Sequence, residues 1–481
     1  MKRILALVII GILCLSMFGL LASEAKAASS PTYIVWPNGK NDTADIQAAF
    51  NGAVAHGPGC TIQLEKGTYY IAQIYVYGFQ GSFVGMGQGL TTIQALPNLP
   101  SPNPEYNTNS TPFWAELPGP KNPWPALFTF WNGSFGISGM TLTDPYTAPT
   151  QGWNYLGTNY TSLVDVIEIT GLQASATIDH VTVLGASGDA QGTNMLNGIN
   201  YEGSFLPQGW TNALADVIPL SGTFSATNSV FNSTESGPWV ETLANAKVTI
   251  CYNTITNNPS PLGFYDASNS TLLFCGNQVS GVSYYCGIEG LQSLYMPGVL
   301  PSTMYIMDNV FQVNDGANAV ALLDFGEANF GTPSTLSAVV SGNVLQTDTS
   351  SGLYVGNNPG LYSVIISEYL KSLVVSQNTI LGGGSAGVYV VGGPGVVSGN
   401  TILGSYVGVW VDYANGIDVT SNVIKNSAQW GIALTDGSSY NLVVGNIVKN
   451  SIKFDLYWDD TGTGNVWIGN QYKTSSPPGL H

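Results

Sequence analysis

Short runs of alternating apolar and polar residues fill the C-terminal part of the chain, and the runs recur. In register, AGVYVVGGPGVVSGNTILGS, VGVWVDYANGIDVTSNVIKNS, WGIALTDGSSYNLVVGNIVKNS and FDLYWDDTGTGNVWIGNQY (within Ser385 to Asn470) are one unit written four times. Each unit holds an alternation, a Gly/Asn turn, a second alternation, then Asn and a third short one. The marker residues Asn378, Asn400, Asn422, Asn446 and Asn470 stand 22, 22, 24 and 24 residues apart. That period is too short for a helix-pair repeat and lacks the leucines of a leucine-rich repeat. Three short strands, each with one apolar face, bury those faces only by stacking turn on turn. The pattern predicts an all-β chain: a single-chain right-handed parallel β-helix of about a dozen coils spaced by ~4.8 Å.

The Asn marker continues upstream at Asn343, Asn309, Asn277, Asn253 and Asn228, with longer loops where the interval rises to 32–35 residues. Stacked amides at a tight turn satisfy backbone groups, so the row is expected to be structural. In VDVIEITGLQASATIDHVTVLG the slot is assigned to His180, as a substitute for Asn rather than an acid or base. Three long insertions, the last from Ala186 to Ala215, interrupt the early coils. They are rich in aromatics (Trp114, Trp124, Trp153, Tyr155, Tyr160, Tyr201, Trp210), which suits packed binding loops.

The N-terminus reads differently. Lys2 and Arg3, an apolar run and Ala25-Lys26-Ala27 form a secretory signal pattern, with a retained anchor as the competing reading. No later stretch is long and apolar enough to span a bilayer, so the mature chain is expected to be secreted and free of the membrane. Removing residues 1–27 moves the net charge from −17 to −19 and leaves nine lysines and no arginine. Nucleic acid is a poor partner for such a surface, and so is a polyanionic glycan. Histidine occurs only at His56, His180 and His481, and no Cys-x-x-Cys is present, so no metal site is expected. Cys251 and Cys275 each precede a marker Asn by two residues on consecutive coils, within disulfide reach or equally two small buried thiols.

Before the coils, NDTADIQAAFNGAVAHG predicts an amphipathic helix with Asp42 or Thr43 near its N-cap and Ile46, Phe50 and Val54 on one face. Strand alternations follow in CTIQLEKGTYYIAQIYVYG and SFVGMGQGLTTIQA. The order Asn41-Asp42-Thr43-Ala44-Asp45-Ile46-Gln47, then Cys60 to Tyr69, then Gly85-Met86-Gly87, resembles the opening of the pectate-lyase superfamily domain. The resemblance implies a helix that plugs the N-terminal end of a right-handed β-helix, and with the repeats it extends over most of the chain. It specifies the fold and not the reaction, since lyases, hydrolases, epimerases, tailspikes and adhesins share that fold. The organisation expected is a signal peptide (1–27), a cap with the first coil (28–96), early coils with insertions (97–215), regular coils (216–470) and a tail (471–481).

The chemistry is expected on the outward face of the first strand of each coil. Counting forward from each marker Asn gives Glu241, Tyr265, Glu289, Tyr354, Tyr389, Trp410, Ala433 and Tyr457, with Glu168 extending the row upstream. Asp266 and Asp324 adjoin it. Carboxyl pairs cleave glycosidic bonds, and stacked aromatics bind sugar-ring faces. Glu241, Glu289, Glu168 and Asp266 are therefore the catalytic candidates, and Tyr265, Tyr354, Tyr389, Trp410 and Tyr457 the substrate-binding ones. Pectate-type lyases, as the resemblance describes them, use an Arg base and calcium on clustered Asp; this mature chain would have to substitute Lys247 or Lys121. Of the signatures of fold-related polygalacturonases only an Asp-Asp pair, Asp459-Asp460, is present. The expectation is a secreted protein, possible as a homotrimer, that hydrolyses a neutral or weakly charged polysaccharide without a cofactor. The alternatives are a non-catalytic glycan-binding matrix protein and a lyase or epimerase, the one case that would call on calcium.

Overall fold

The chain folds as a right-handed parallel β-helix. The computed structural model describes residues 30–96, 126–145, 153–155, 158–160, 165–185, 197–205, 217–234, 236–258, 262–282, 286–292, 299–313, 318–324, 334–347, 365–382 and 384–480. Each coil contributes three strands, and each strand pairs in parallel with its equivalents one coil before and after. Val407–Asp412 lies between Ala386–Val391 and Trp430–Thr435. Ile417–Thr420 lies between Gly395–Ser398 and Leu442–Val444, and Val423–Lys425 between Thr401–Leu403 and Ile447–Lys449. The inward members of the alternations, Val409, Val411, Val419 and Ile424 among them, are wholly buried and form one continuous apolar column. Coiling starts earlier than the sequence suggests. Thr32–Val35, Cys60–Leu64 and Gln80–Val84 already pair in series, and Gly67–Ile71 pairs with Thr91–Ala95, so residues 28–96 hold more than a cap and one coil.

The asparagine row is an unbroken ladder from Asn253 to Asn470. Asn400 shows the unit. Its backbone N–H and its Nδ2 both donate to Asn422 Oδ1 at 2.9 Å, and Nδ2 also donates to the Val375 carbonyl at 2.9 Å. Upstream the row changes residue type and corrects two assignments. Ser229, not Asn228, donates its N–H to Asn253 Oδ1, and Val181, not His180, donates its N–H to Ser229 Oγ. Asn228 and His180 occupy the preceding position, whose φ is 50° and 52°. That left-handed corner recurs at Tyr252, Asp308, Gln377 and Ser421, and falls to glycine at Gly276, Gly342, Gly399, Gly445 and Gly469. His180 is exposed there, with Nδ1 2.7 Å from Asp179 Oδ2.

Both ends of the column are covered. The helix Thr43–His56 closes the N-terminal end with Ile46, Ala49, Phe50 and Ala53; Val54 is 37% exposed, so it does not belong to the buried face expected of it. Phe50 meets the rings of Phe79, Phe83 and Phe130 at 5.0–5.7 Å. Asp42 does not cap the helix through its side chain; its carboxylate accepts the N–H groups of Asn38 and Tyr70 and ties the helix to the coil. At the other end Ser475–Ser476 adds a last parallel pairing to Phe454–Trp458, and Leu480 joins the core. Cys251 and Cys275 form a disulfide between consecutive coils, with Cα atoms 4.6 Å apart. Of the boundaries expected from sequence, residues 1–29 and most of the insertions lie outside the described residues.

Asn422→Leu would orphan the Val397 carbonyl, the N–H of Asn400 and one bond to Asn446. Urea denaturation is expected to show a loss of about 3 kcal/mol, the sum of a few uncompensated buried groups.

Candidate functional site

The first strand of each coil presents three outward columns, not one. Between the first and second columns the strand makes a tight step that glycine accommodates. A Cβ on Gly408 would lie 2.4 Å from the Gly431 carbonyl oxygen, and one on Gly431 would lie 2.5 Å from that of Asp455. The first column runs Asp165, Asn197, Ser236 and, further along, Ala386, Val407, Trp430 and Phe454. The second runs Thr129, Glu168, Asn200, Trp239, Gly263, Glu289 and Ala321, then Tyr389, Trp410, Ala433 and Tyr457. The third runs Glu202, Glu241, Tyr265 and Leu291.

The row read from sequence is therefore divided. Glu168 and Glu289 stand in the second column and Glu241 in the third. The cause is a register step: Glu289 pairs with Gly263, 26 residues earlier, while Tyr265 pairs with Leu291. Glu241 and Glu289 are two coils apart, as expected, and also offset by two residues along the strand. Glu202 is directly beside Glu241. It was missed because it falls in what reads as an insertion; the alternation Ile199-Asn200-Tyr201-Glu202, with Ile199 and Tyr201 buried, was the available signal.

Side chains close the offset between Glu241 and Glu289. The Trp239 indole Nε1 donates to Glu241 Oε2 at 2.8 Å, and the Tyr265 hydroxyl donates to Glu289 Oε2. The two rings lie 4.6 Å apart at 33°. Gly263 makes this possible: a Cβ there would sit 2.2 Å from the Tyr265 ring. Burial pushes the Glu241 carboxyl above the usual range, the charge of Asp266 pushes it further, and the indole donor opposes both. Tyr265 is raised by burial and by Glu289. Asp266 holds a left-handed corner (φ 48°), a position that suits a turn former, and its side chain is buried. Asp324 reaches the described structure only as the backbone partner of Gln292.

Further along, the second column becomes aromatic. Tyr389 is buried and donates its hydroxyl to Asp412 Oδ2 at 2.8 Å; Trp410 is half-buried and donates Nε1 to Thr435 Oγ1 at 2.8 Å. Tyr457 stacks on Trp430 at 4.2 Å and 2°, and Trp410 meets Trp430 edge-on at 6.1 Å. The expected row of exposed rings is in fact a packed aromatic surface, because Trp430 from the first column fills the gap left by Ala433. Tyr354 lies outside the described residues. Among the described residues no three His, Cys, Asp or Glu side chains converge as a metal site.

Ladder and columns together define a parallel β-helix protein of the pectate-lyase-like fold. Within it, residues 306–475, about a third of the chain, match the family model described as periplasmic copper-binding protein (NosD). That stretch has no His, no Cys and a single Met, Met307, a donor set unsuited to copper. No curated protein matches the chain. Similar solved structures include the A-module of mannuronan C-5 epimerase AlgE6 from Azotobacter vinelandii, at 15% identity over 91% of this chain and 93% of that one, TM-score 0.37. The catalytic unit of a GH87 alpha-1,3-glucanase from Streptomyces thermodiastaticus strain HF3-3 has 13% identity over 91% and 67%, TM-score 0.47. Bacteriophage CBA120 tailspike protein 3 has 11% over 88% and 56%, TM-score 0.45. These are likenesses of coil architecture.

A raised Glu241 fixes the sign of a pH effect. The folded state holds this proton to higher pH than the unfolded chain, so the contribution is complete below the ordinary carboxylate range and is lost as pH rises through the raised value. As pH rises above the ordinary carboxylate range, the wild-type Tm is expected to fall more steeply than that of Glu241→Gln, as differential scanning calorimetry would show.

Proposed function

We propose that this is an exported carbohydrate-active protein that hydrolyses a neutral or weakly charged polysaccharide, with Glu241 as general acid and Glu289 as general base. The observation that carries the reading is the pair of carboxyls anchored by Trp239 and Tyr265 on one outward face. Burial favours the protonated form of Glu241, as an acid that delivers a proton to a leaving oxygen requires. The indole engages one carboxyl oxygen and leaves the other to face substrate. Glu289, held by the Tyr265 hydroxyl two coils away, suits a base that activates water across a gap, so the expected outcome is inversion. Glu202, one coil of ~4.8 Å from Glu241, is the competing partner and would give retention. The aromatic surface at Tyr389, Trp410, Trp430 and Tyr457 supplies apolar faces for a sugar chain lying along the helix axis. Export accords with the signal pattern at residues 1–27, and no described helix is long and apolar enough to cross a membrane.

A polysaccharide-digestion screen with product analysis tests this. New reducing ends are expected, with no rise in absorbance at 235 nm; a rise would make the protein a lyase, and binding without new ends would make it a matrix protein. Glu241→Gln and Glu289→Gln should each abolish turnover and leave glycan binding intact. If Glu289→Gln stays active while Glu202→Gln does not, the pair is Glu241 with Glu202, and product stereochemistry by NMR should show retention. Trp410→Ala should weaken binding, with a smaller loss at saturating substrate.

A further inference from the structure

The few lysines of this chain are not spread evenly. Of the nine that follow residue 27, Lys425, Lys449, Lys453 and Lys473 fall within the last coils. Lys425 and Lys449 are register partners at the end of the third strand on adjacent coils, one rung of ~4.8 Å apart. Both are exposed, as is Lys473. Ile447 bridges in parallel to Gln471, so the next turn of chain carries Lys473 to the same edge. Upstream the column holds Leu403, Leu381, Gln346 and Gln312, which confines the positive charge to the C-terminal rungs. Among the described residues the single ion pair joins His180 to Asp179, so no carboxylate pairs with this column. Like charges directly opposite on neighbouring strands repel.

Lys449 and Lys473 both line a cleft of about 520 Å³, together with Asn450, Gln471, Tyr472 and Thr474. The acidic residue of its lining, Asp455, is buried. The Asp455 carboxylate accepts the N–H groups of Ser451 and Lys473 at 3.0 and 2.8 Å. Its charge is thus taken up by backbone donors, and it fixes the segment that carries Lys473. The geometry points to a binding site for a compact ligand or chain end with two or more phosphate groups. Lys449 and Lys473 hold the groups inside the cleft, and Lys425 extends the charge one rung outward. The lysine ammonium is a compact charge with three donors, which suits the tetrahedral array of phosphate oxygens. Carboxylate recognition favours the planar fork of arginine, and no arginine follows residue 27. Asn450, Gln471 and Thr474 add neutral donors for the remaining oxygens. Stacked lysines call for more than one anionic group, and the concave shape suits a compact ligand better than a flat membrane. Lys453 is engaged elsewhere, with Nζ 5.6 Å from the centre of the Trp430 ring. The net charge of −17 that argues against polyanions over the whole surface does not describe this edge.

The test is isothermal titration of the full exported chain with sodium tripolyphosphate at low ionic strength, with tricarballylate, a tricarboxylate, as comparison. One tripolyphosphate per chain is expected, bound less tightly as sodium chloride is raised, and tricarballylate should bind about tenfold more weakly. Lys449→Gln and Lys473→Gln should each raise the tripolyphosphate Kd by about tenfold, and Lys425→Gln by less. Lys371→Gln, which removes an exposed lysine on a different strand, should bind as wild type does. All four changes are at exposed positions and should leave Tm unaltered. Glu241→Gln should also bind as wild type, which separates this site from the proposed hydrolysis. Equal affinity for tricarballylate would overturn the phosphate class. No binding, or binding that survives Lys449→Gln combined with Lys473→Gln, would overturn the site. Retention on anionic phospholipid vesicles without tripolyphosphate binding would overturn it too, and would assign the lysines to a membrane surface.

Discussion

Everything in this molecule depends on the fixed spacing between coils. Parallel strands pair at one distance, so each side chain that closes a corner must serve its equivalents above and below. The asparagine ladder meets this demand with one residue type, because its amide both accepts from one coil and donates within the next. Eight successive links make the corner a repeating hydrogen-bonded rod, buried from Asn253 to Asn446. The longer intervals between Asn277 and Asn378 leave that ladder unbroken. Function is free to vary only on what projects outward.

The outward face shows how such variation is organised. The step between the first and second columns, taken by glycine at Gly408 and Gly431, gives the strand an extra outward position, and Trp430 uses it to complete an aromatic surface that the second column alone would leave broken at Ala433. Toward the N-terminal end the same columns hold carboxyls and amides. Polar and apolar chemistry thus alternate by region along one axis, and neither disturbs the Val/Ile/Leu/Phe column behind them.

The fold was legible because its signal is local and repeated: the alternations recur coil after coil, and the marker Asn does so from Asn253 to Asn470. The helix was legible as an amphipathic segment, though Val54 faces outward because alanines 49 and 53 let the helix sit close on Phe79 and Phe83. The site was legible in residue type and much less in register. A two-residue step between Gly263 and Glu289 separates Glu241 from Glu289, and no count from a marker Asn reveals it. Upstream, where Ser229 and Val181 replace Asn, the marker itself fails, and the slot was assigned one position early, to Asn228 and His180. Glu202 was hidden because a strand between two long loops resembles the loops.

The two covered ends have a consequence for how the protein behaves as an object. A stack of parallel strands has an unfinished edge at each end, and one such edge would pair with the opposite edge of another copy in the same way that coils pair within the chain. Repetition of that event would give an unbranched fibre. The helix Thr43–His56 at one end and the returning segment that carries Ser475–Ser476 and Leu480 at the other interrupt both apolar cross-sections. The described coils are therefore a stack of limited length, closed at each end by a segment that does not repeat the coil.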